Sequence, residues 1–380
     1  METVRYTYRL RPGATAERVL ISEWHRTRFL WNDAVEQMKA EAKPTFGKLS
    51  KRLTVLRSEH EWLREGSQVA QQQELRTFAQ SLDHSFKVKG RRKPRFKSAK
   101  KSLPSLEYTL RGFSIRNDRL ILPKGVTVPV VWSRNLPSAP TSVRVYRDSL
   151  GHWCASFVVR REPEPVPAVD GSIGIDWGVS TTATTTDPAY DLPHAGHRKR
   201  SAAETAKAQR RMARRRRPKG QPQSKGYQRA KRDAAKAAKR AQRRNTHEAR
   251  QWSRKVVADH HLIAVEDFRP KFLAKSTMAR KAADAAAGTI KRALIENAER
   301  AGRKVVLVEP AYTTMTCHVC LARAKRLTLD RRVFVCEACG LVEDRDRNAA
   351  KTILAVAERG HASVEGVRHS VPPSEVSSAA

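Results

Sequence analysis

Two sets of side chains in this sequence could do chemistry: a group of cysteines and three acids placed at element ends. Four of the five cysteines fall within residues 316–350, as Cys317-x-x-Cys320 and Cys336-x-x-Cys339, with fifteen residues between the pairs. Two such turns at that separation can set four thiolates at the corners of a tetrahedron, the coordination a structural zinc ion takes. The alternatives are four packed thiols or two disulfides. The N-terminal METVRYTYRL does not read as a secretion signal, and disulfides belong to oxidising compartments. A redox role for one pair leaves the other unexplained.

The acids are Asp176, which closes the run GSIGIDW, Glu266, which closes HLIAVE, and Asp346, within DRDRNAA before an Ala-rich helical start. A carboxylate at the end of an apolar strand is costly to bury unpaired, and a divalent cation relieves that cost. Hard oxygen ligands select Mg2+ or Mn2+, while thiolates select zinc. Three carboxylates so placed can hold two ions about 4 Å apart, which stabilise the attacking and leaving oxygens of phosphodiester hydrolysis. Each acid also has a plain reading. Asp176 could close a hairpin turn, and the cluster at Asp344–Asp346 could cap a helix and complement its dipole.

The elements that must position these groups are legible in order. Residues 3–10 alternate as a strand, and a helix follows from about Thr15 as its cap, with Val19, Leu20, Trp24, Phe29, Leu30 and Val35 on one apolar face. Trp31-Asn32 falls inside that face. Further helices read from Leu49 to Glu65 and from Ser67 to Phe86, followed by a basic run from Lys87 to Lys101 suited to backbone phosphates. Short runs at 106–110, 113–116, 119–122, 126–132, 142–146 and 153–159, separated by turn residues, predict a small β-barrel closed by the strand at 3–10. Cys154 in the last run reads as simply packed. The Pro-rich stretch 161–169 marks a domain boundary.

Beyond it, the strand ending at Asp176 and the Thr-rich run 180–186 read as a hairpin, an arrangement in which a ribonuclease-H-like fold keeps a metal-binding carboxylate. Residues 198–244 hold 20 Lys and Arg against Glu204 and Asp233, about half of the excess charge of the chain, and predict a basic helical hairpin for nucleic-acid backbone. A second strand ends at Glu266, and a soft stretch covers 269–286. A helix at 289–301 and a third strand at 304–308 complete an α/β core. Arg332–Val335 reads as a short strand of a zinc ribbon.

With 75 Lys and Arg against 38 Asp and Glu, the 380-residue chain carries a formal charge of +37. A charge that large implies a polyanionic partner. No long apolar run or amphipathic anchor points to a membrane, so nucleic acid is the partner expected, in the cytoplasm.

The order acid, basic hairpin, acid, cysteine pairs, acid resembles the transposon-encoded TnpB nucleases and the compact type V CRISPR effectors. The matching residues run over nearly the whole chain: YRLRP near the start, GIDWGVSTTAT at 174–184, VEDF at 265–268, EPAYTTMTCHVC at 309–320, CEACG at 336–340 and DRDRNAAKTIL at 344–354. The resemblance implies an α+β multidomain fold. A wedge-type β-barrel (1–12 and 102–165) would carry an inserted helical recognition lobe (13–101). A RuvC-like nuclease of the RNase H type (170–312 and 344–358, basic hairpin 198–250) would carry an inserted zinc ribbon (313–343), and 359–380 would be a disordered tail. It further implies an RNA-guided DNA endonuclease: a guide RNA pairs with target double-stranded DNA beside a short motif that the protein reads. Asp176, Glu266 and Asp346 match the catalytic triad and its Mg2+ or Mn2+ ligands, and Cys317, Cys320, Cys336 and Cys339 match the zinc ligands. Asp344 is the neighbour that could be confused with Asp346, which is favoured by the Asp-x-Asn-Ala-Ala pattern. Such an enzyme is expected to be cytoplasmic and nucleoid-associated, with no membrane partner. An RNA-guided DNA-binding regulator without cleavage is the alternative, and a strand-transferring transposase a third reading. The chain departs from relatives at AADAAAGTIK (282–291), where a Trp-Gly pair is frequent, and at Leu321-Ala322, where Gly is common.

Overall fold

The computed structural model describes residues 1–40, 43–162, 167–218, 220–268, 279, 282, 285–325, 327 and 331–370. They divide into two compact units, Met1–Glu162 and Pro163–Ala380, at the Pro-rich stretch.

In the first unit, β1 (Glu2–Leu10) is followed by four helices, α1 (Ala14–Ala40), α2 (Phe46–Glu59), α3 (Glu61–Arg64) and α4 (Gln68–Lys87). Six strands come next: β2 (Ser105–Thr109), β3 (Ser114–Arg116), β4 (Arg119–Leu122), β5 (Val126–Val131), β6 (Ser142–Arg147) and β7 (Trp153–Arg161). All pairings are antiparallel, in the order β2-β6-β7-β1-β5-β4-β3. The N-terminal strand therefore lies mid-sheet between β7 and β5, not at a closing edge. Among the described strands the order is linear, so the sheet is a half-barrel, where the sequence predicted a closed barrel. Period-2 patterning drives it: Val126, Val128 and Val130 of β5 are buried while Thr127 and Pro129 between them are exposed. These valines share one core with Leu106, Tyr108, Leu120, Val145 and Phe157.

The helices differ from expectation in two places. Thr15 lies inside the first turn of α1, which begins one residue earlier, with Glu17 N–H bonded to Gly13 C=O. The helix expected over 49–65 is broken at His60, whose extended backbone (φ −121°, ψ 105°) ends α2 while its N–H still bonds Leu56 C=O. Ser67 caps α4 through its Oγ, which accepts from Ala70 N–H at 3.4 Å. Trp31 is buried in the helical core, and its indole N–H also donates to Arg95 C=O at 2.9 Å. Asn32 binds Lys97 in both directions, at 2.8 and 3.2 Å. The basic run is thus strapped to α1. Within it, Lys97 is neutralised by Glu74 at 2.5 Å, while Lys87, Lys89, Arg91, Arg92, Lys93 and Arg95 are exposed.

The second unit has a mixed sheet, order β10-β9-β8-β11-β12. Its strands are β8 (Ser172–Trp177), β9 (Thr181–Thr185), β10 (Leu192–Pro193), β11 (Leu262–Glu266) and β12 (Lys304–Val308). β8, β11 and β12 are parallel, and β9 returns antiparallel to β8 as the predicted hairpin. Helices α5 (His197–Arg200), α6 (Ala202–Arg214) and α7 (Lys225–Asp259) lead from β10 to β11, and α8 (Ala287–Arg300) leads from β11 to β12. Most of the soft stretch 269–286 lies outside the described residues. A two-stranded ribbon, β13 (Val333–Val335) with β14 (Val342–Asp344), precedes α9 (Arg345–Glu358) and α10 (Val364–Ser370). The expected disordered tail is therefore corrected in part. Val364 and Val367 of α10 are buried against Val308, Ile353 and Val356, and Arg323 pairs with Glu365. Residues 371–380 lie outside the described residues. No helix among the described residues is long and apolar enough to cross a membrane.

The two faces of the sheet carry different chemistry. Ile173, Ile175, Trp177, Ile263 and Val265 pack against α7 and α8 through Trp252, Val256, Ile290 and Leu294. The alternate positions, Gly174, Asp176, Ala264 and Glu266, face α9. Ala264 packs there with Ile353 and Val356. Gly174 lies under the helix backbone: a Cβ built on it would come within 2.9 Å of Leu354 Cβ, with Ala350 C=O closer still.

Candidate active site

β8 and β11 are paired with Val265 opposite Ile175, so the next residues in line are Glu266 and Asp176 at the carboxyl ends of parallel strands. Registered parallel neighbours point to the same side, here the α9 side. The Trp177 backbone N–H stabilises the ionised form of both carboxylates. The Trp177 indole also donates to Glu266 C=O at 3.1 Å, fixing one strand end on the other. Both acids are buried, at 6% and 7% exposure.

Burial pushes the Asp176 carboxyl well above its ordinary range, and the charges of Glu266 and then Asp346 push it further. Arg345 and the Trp177 N–H act the other way. Burial likewise raises Glu266 to about 7, against the Trp177 N–H and Lys291. Its neighbour Asp267 is turned to Lys291, 2.5 Å away, and so is separated from Glu266 in role.

The third acid comes from α9. Asp344 is its N-cap: Oδ1 accepts from Arg347 N–H at 2.9 Å, and the residue is exposed. Asp346, in the first turn, is the residue whose charge reaches Asp176. It is flanked by arginines, Arg345 at 3.1 and 3.2 Å and Arg332 at 3.7 Å. Of the two acids that the sequence leaves close together, the structure gives Asp344 the capping role, and Asp346 is the one whose charge raises Asp176. Sequence reading missed the groups that hold this turn. Arg347 clamps Asp191 with two bonds, at 2.9 and 2.7 Å, and also reaches Thr185 C=O. Asp191 in turn accepts from Thr185 N–H at 2.8 Å. Only the alternation of charges in DRDR hinted at Arg347, and nothing local pointed to Asp191.

The four cysteines come together. Their Sγ atoms all lie within 4.8 Å of one another, with Cys317–Cys339 at 3.6 Å and Cys320–Cys336 at 3.5 Å. Those distances exceed a disulfide bond by well over 1 Å, and all four thiols are free. Each pair forms a tight turn: Leu321 N–H bonds Cys317 C=O at 3.1 Å, and Gly340 N–H bonds Cys336 C=O at 2.9 Å. Burial pushes Cys320 up to about 12. Burial acts on Cys336 in the same sense and is the largest single effect, yet the N–H groups of Cys339 and Ala338 together with the Cys320 and Cys339 thiols outweigh it and hold Cys336 down to about 7. After the first pair, Leu321 adopts φ +59°, the left-handed region where the departure from a common Gly was noted.

The comparisons with known proteins bear on the family and the fold. A family described as "Cas12f1-like, TNB domain" matches residues 288–353, and one described as "Probable transposase" matches 156–277. A "Putative RNA-guided DNA endonuclease" of Streptomyces pristinaespiralis is 33% identical over 312 residues, covering 81% of this chain and 76% of the relative. The "Putative RNA-guided DNA endonuclease InsQ" of Escherichia coli (strain K12) is 25% identical over 383 residues, covering 94% and 92%. Among solved structures, the one described as "Cryo-EM structure of the Cas12f1-sgRNA-target DNA complex" shares the fold, with a TM-score of 0.53 and 14% identity over 93% of this chain and 98% of that one. The fold is thus that of the compact type V effectors. The chain belongs to the family of TnpB-type RNA-guided DNA endonucleases.

Proposed function

We propose that this chain is an RNA-guided DNA endonuclease in which Asp176, Glu266 and Asp346 hold two Mg2+ or Mn2+ ions, and Cys317, Cys320, Cys336 and Cys339 hold zinc. The observation that carries the reading is the placement of Asp176 and Glu266 at the carboxyl ends of neighbouring parallel strands, with Asp346 of α9 near enough that its charge, after that of Glu266, disfavours ionisation of Asp176. Acids repelling one another at neighbouring strand ends are what a divalent-cation site requires. The thiols fit zinc: four sulfurs about 2.3 Å from a tetrahedral ion stand about 3.8 Å apart, close to the 3.5 and 3.6 Å of the two nearest pairs.

In this reading the second unit is the RuvC-like nuclease (170–312 and 344–358) with its zinc ribbon (313–343). The first unit is the wedge (1–12 and 102–165) with the helical recognition lobe (13–101). When bound, the divalent ions supply a hydroxide nucleophile at neutral pH and stabilise the leaving 3′ oxygen. The chain itself supplies position. Parallel strands fix Asp176 and Glu266, Lys291 keeps Asp267 out of the ligand set, and the Arg347–Asp191 clamp fixes the turn bearing Asp346. The α6–α7 hairpin and the exposed part of the strap offer the cationic surface for a guide RNA and target double-stranded DNA, while base pairing carries the sequence information. The working place is the nucleoid.

The test is cleavage of a plasmid library that carries one fixed target beside randomised flanks. The protein is co-expressed with its native downstream locus so that cognate RNA travels with it. Mg2+-dependent cuts confined to certain flanks, lost in Asp176→Ala while RNA and target binding persist, are expected. Cleavage that survives Asp176→Ala refutes the assignment of the site. Flank-dependent retention of DNA with no cutting by the parent protein refutes the endonuclease and leaves an RNA-guided binder.

A further inference from the structure

Two residues past Asp346 on the same helix, Asn348 is fully buried. Its amide brackets a cysteine. Asn348 Nδ2 donates to Thr316 C=O at 2.8 Å, and Oδ1 accepts from His318 N–H at 3.2 Å, so the residues on either side of Cys317 are held by one side chain. Oδ1 also lies 3.1 Å from His318 Nδ1, which donates to it. One turn later, Thr352 Oγ donates to the same Thr316 carbonyl at 2.9 Å. The side of the first cysteine turn facing α9 is thus anchored to the helix. The backbone N–H groups of Val319 and Cys320 are aimed inward at Cys317 Sγ.

These bonds make the cysteine turn and the first turn of α9 one body. The helix is also pinned at Gly174, where its backbone rests on β8, and at Asp191, where Arg347 is clamped. Asp346 lies just before these anchors, one residue before Arg347 and two before Asn348. An ion shared by the thiolates would restrain this turn and, through the Asn348 amide, the helix register that carries Asp346.

We propose that Asn348 is a positioning residue that couples occupancy of the four-thiol site to the divalent-cation affinity of the Asp176–Glu266–Asp346 site. The coupling rests on the function proposed above, and it predicts that the cysteines serve catalysis through Asn348 as well as holding the ribbon together. Side-chain chemistry makes the role specific. An Asp at 348 cannot donate to Thr316 C=O, and an Ala leaves the half-buried His318 N–H without its acceptor.

The test is a cycle of two perturbations read by metal binding. Purified parent chain and Asn348→Ala are each prepared with the thiol site loaded with zinc or stripped by a chelator that is then removed. Zinc content is measured by elemental analysis. Mn2+ affinity is measured by electron paramagnetic resonance, with Asp176→Asn defining the signal that belongs to the carboxylates. Partners that orient metal ligands commonly change affinity 10–100-fold. Stripping zinc from the parent is therefore expected to weaken Mn2+ binding about 10-fold, and Asn348→Ala with zinc still bound is expected to do the same. Stripping the variant should then add less than about threefold. Equal and independent effects of stripping in parent and variant refute the coupling, as does an Asn348→Ala chain of lowered melting temperature but unchanged Mn2+ affinity. Absence of Asp176-dependent Mn2+ binding in the parent refutes the carboxylate site itself, and the coupling with it. If Asn348→Ala does not fold, His318→Ala replaces it. That variant removes the ring hydrogen bond and keeps the main-chain one, so a partial weakening of two- to threefold is expected, and none refutes the proposal.

Discussion

The tightest constraint on the acidic site is a missing side chain. Gly174 precedes Asp176 by two residues on the same face of β8, and α9 crosses it at Ala350, four residues beyond Asp346. A Cβ at 174 would stand 2.9 Å from Leu354 Cβ and 3.1 Å from the Ala350 carbonyl carbon, with the carbonyl oxygen nearer. Ordinary carbon contacts are about 3.5–4.0 Å, so Gly174→Ala must push the helix off the strand by about 1 Å. Overpacking of this kind costs about 1–3 kcal/mol. The larger effect is on geometry, because a misplacement of about 1 Å costs on the order of 100-fold in rate. The expected result for Gly174→Ala is a chain that folds with a lowered melting temperature, retains zinc, and cleaves target DNA about 100-fold more slowly in single-turnover assays at saturating Mg2+. The obstacle is backbone, so Leu354→Ala, which keeps its Cβ, should not rescue the rate. Parent-like cleavage by Gly174→Ala, or rescue by Leu354→Ala, would refute the claim that this strand–helix contact sets the position of Asp346.

Two further outcomes follow from particular residues. Glu266, raised by burial to about 7, binds a proton in the folded metal-free chain that the unfolded chain releases near pH 4.5, so its contribution lowers stability as pH rises from about 4.5 to 7 and is fully unfavourable above 7, by about 3 kcal/mol. Glu266→Gln should therefore raise the metal-free melting temperature at pH 8, change it little at pH 4.5 and abolish the stabilisation by Mn2+; parallel pH profiles for parent and variant would contradict this. Leu321 is buried yet held at φ +59°, so side-chain loss and backbone relief oppose one another, and Leu321→Ala should be less stable than Leu321→Gly by about 1 kcal/mol, the reverse of the usual order. Chemical denaturation of the two variants reads the sign directly.

Much of this site was legible because its two strands share one pattern. Gly174-Ile175-Asp176 and Ala264-Val265-Glu266 each read small, large apolar, acid. The small residues admit α9, the large ones fill the opposite core, and the acids emerge together at the strand ends. The spacing of Cys317, Cys320, Cys336 and Cys339 was equally readable, because two tight turns need only local sequence. What stayed hidden depends on distant partners. Arg347 and Asp191 are 156 positions apart, and no local pattern links them. The tail helix α10 offers only Val364 and Val367 as apolar contacts. Its order comes from the surface formed by Val308, Ile353 and Val356, so the composition of 359–380 alone read as disordered. The break at His60 follows from the backbone conformation of a residue that carries no breaker signal.

The basic hairpin shows how a correct feature can come with an incomplete reason. Twenty cations and few large apolar side chains left no evident force to bring α6 and α7 together. The structure closes them through alanines: Ala208 on α6 and Ala230, Ala237 and Ala241 on α7 are buried. Two crossing ion pairs, Arg211–Asp233 at 3.2 Å and Arg240–Glu204 at 3.5 Å, use both acids of the segment. A buried methyl contributes only about 0.8 kcal/mol, and exposed ion pairs contribute about 0–1 kcal/mol, so the seam alone is weak. Its strength comes from continuity. The same helix α7 runs on to bury Ala249, Trp252, Val256 and Val257 against the sheet whose opposite face carries the acids. The cationic arm is therefore continuous, through one helix, with the core behind the candidate active site.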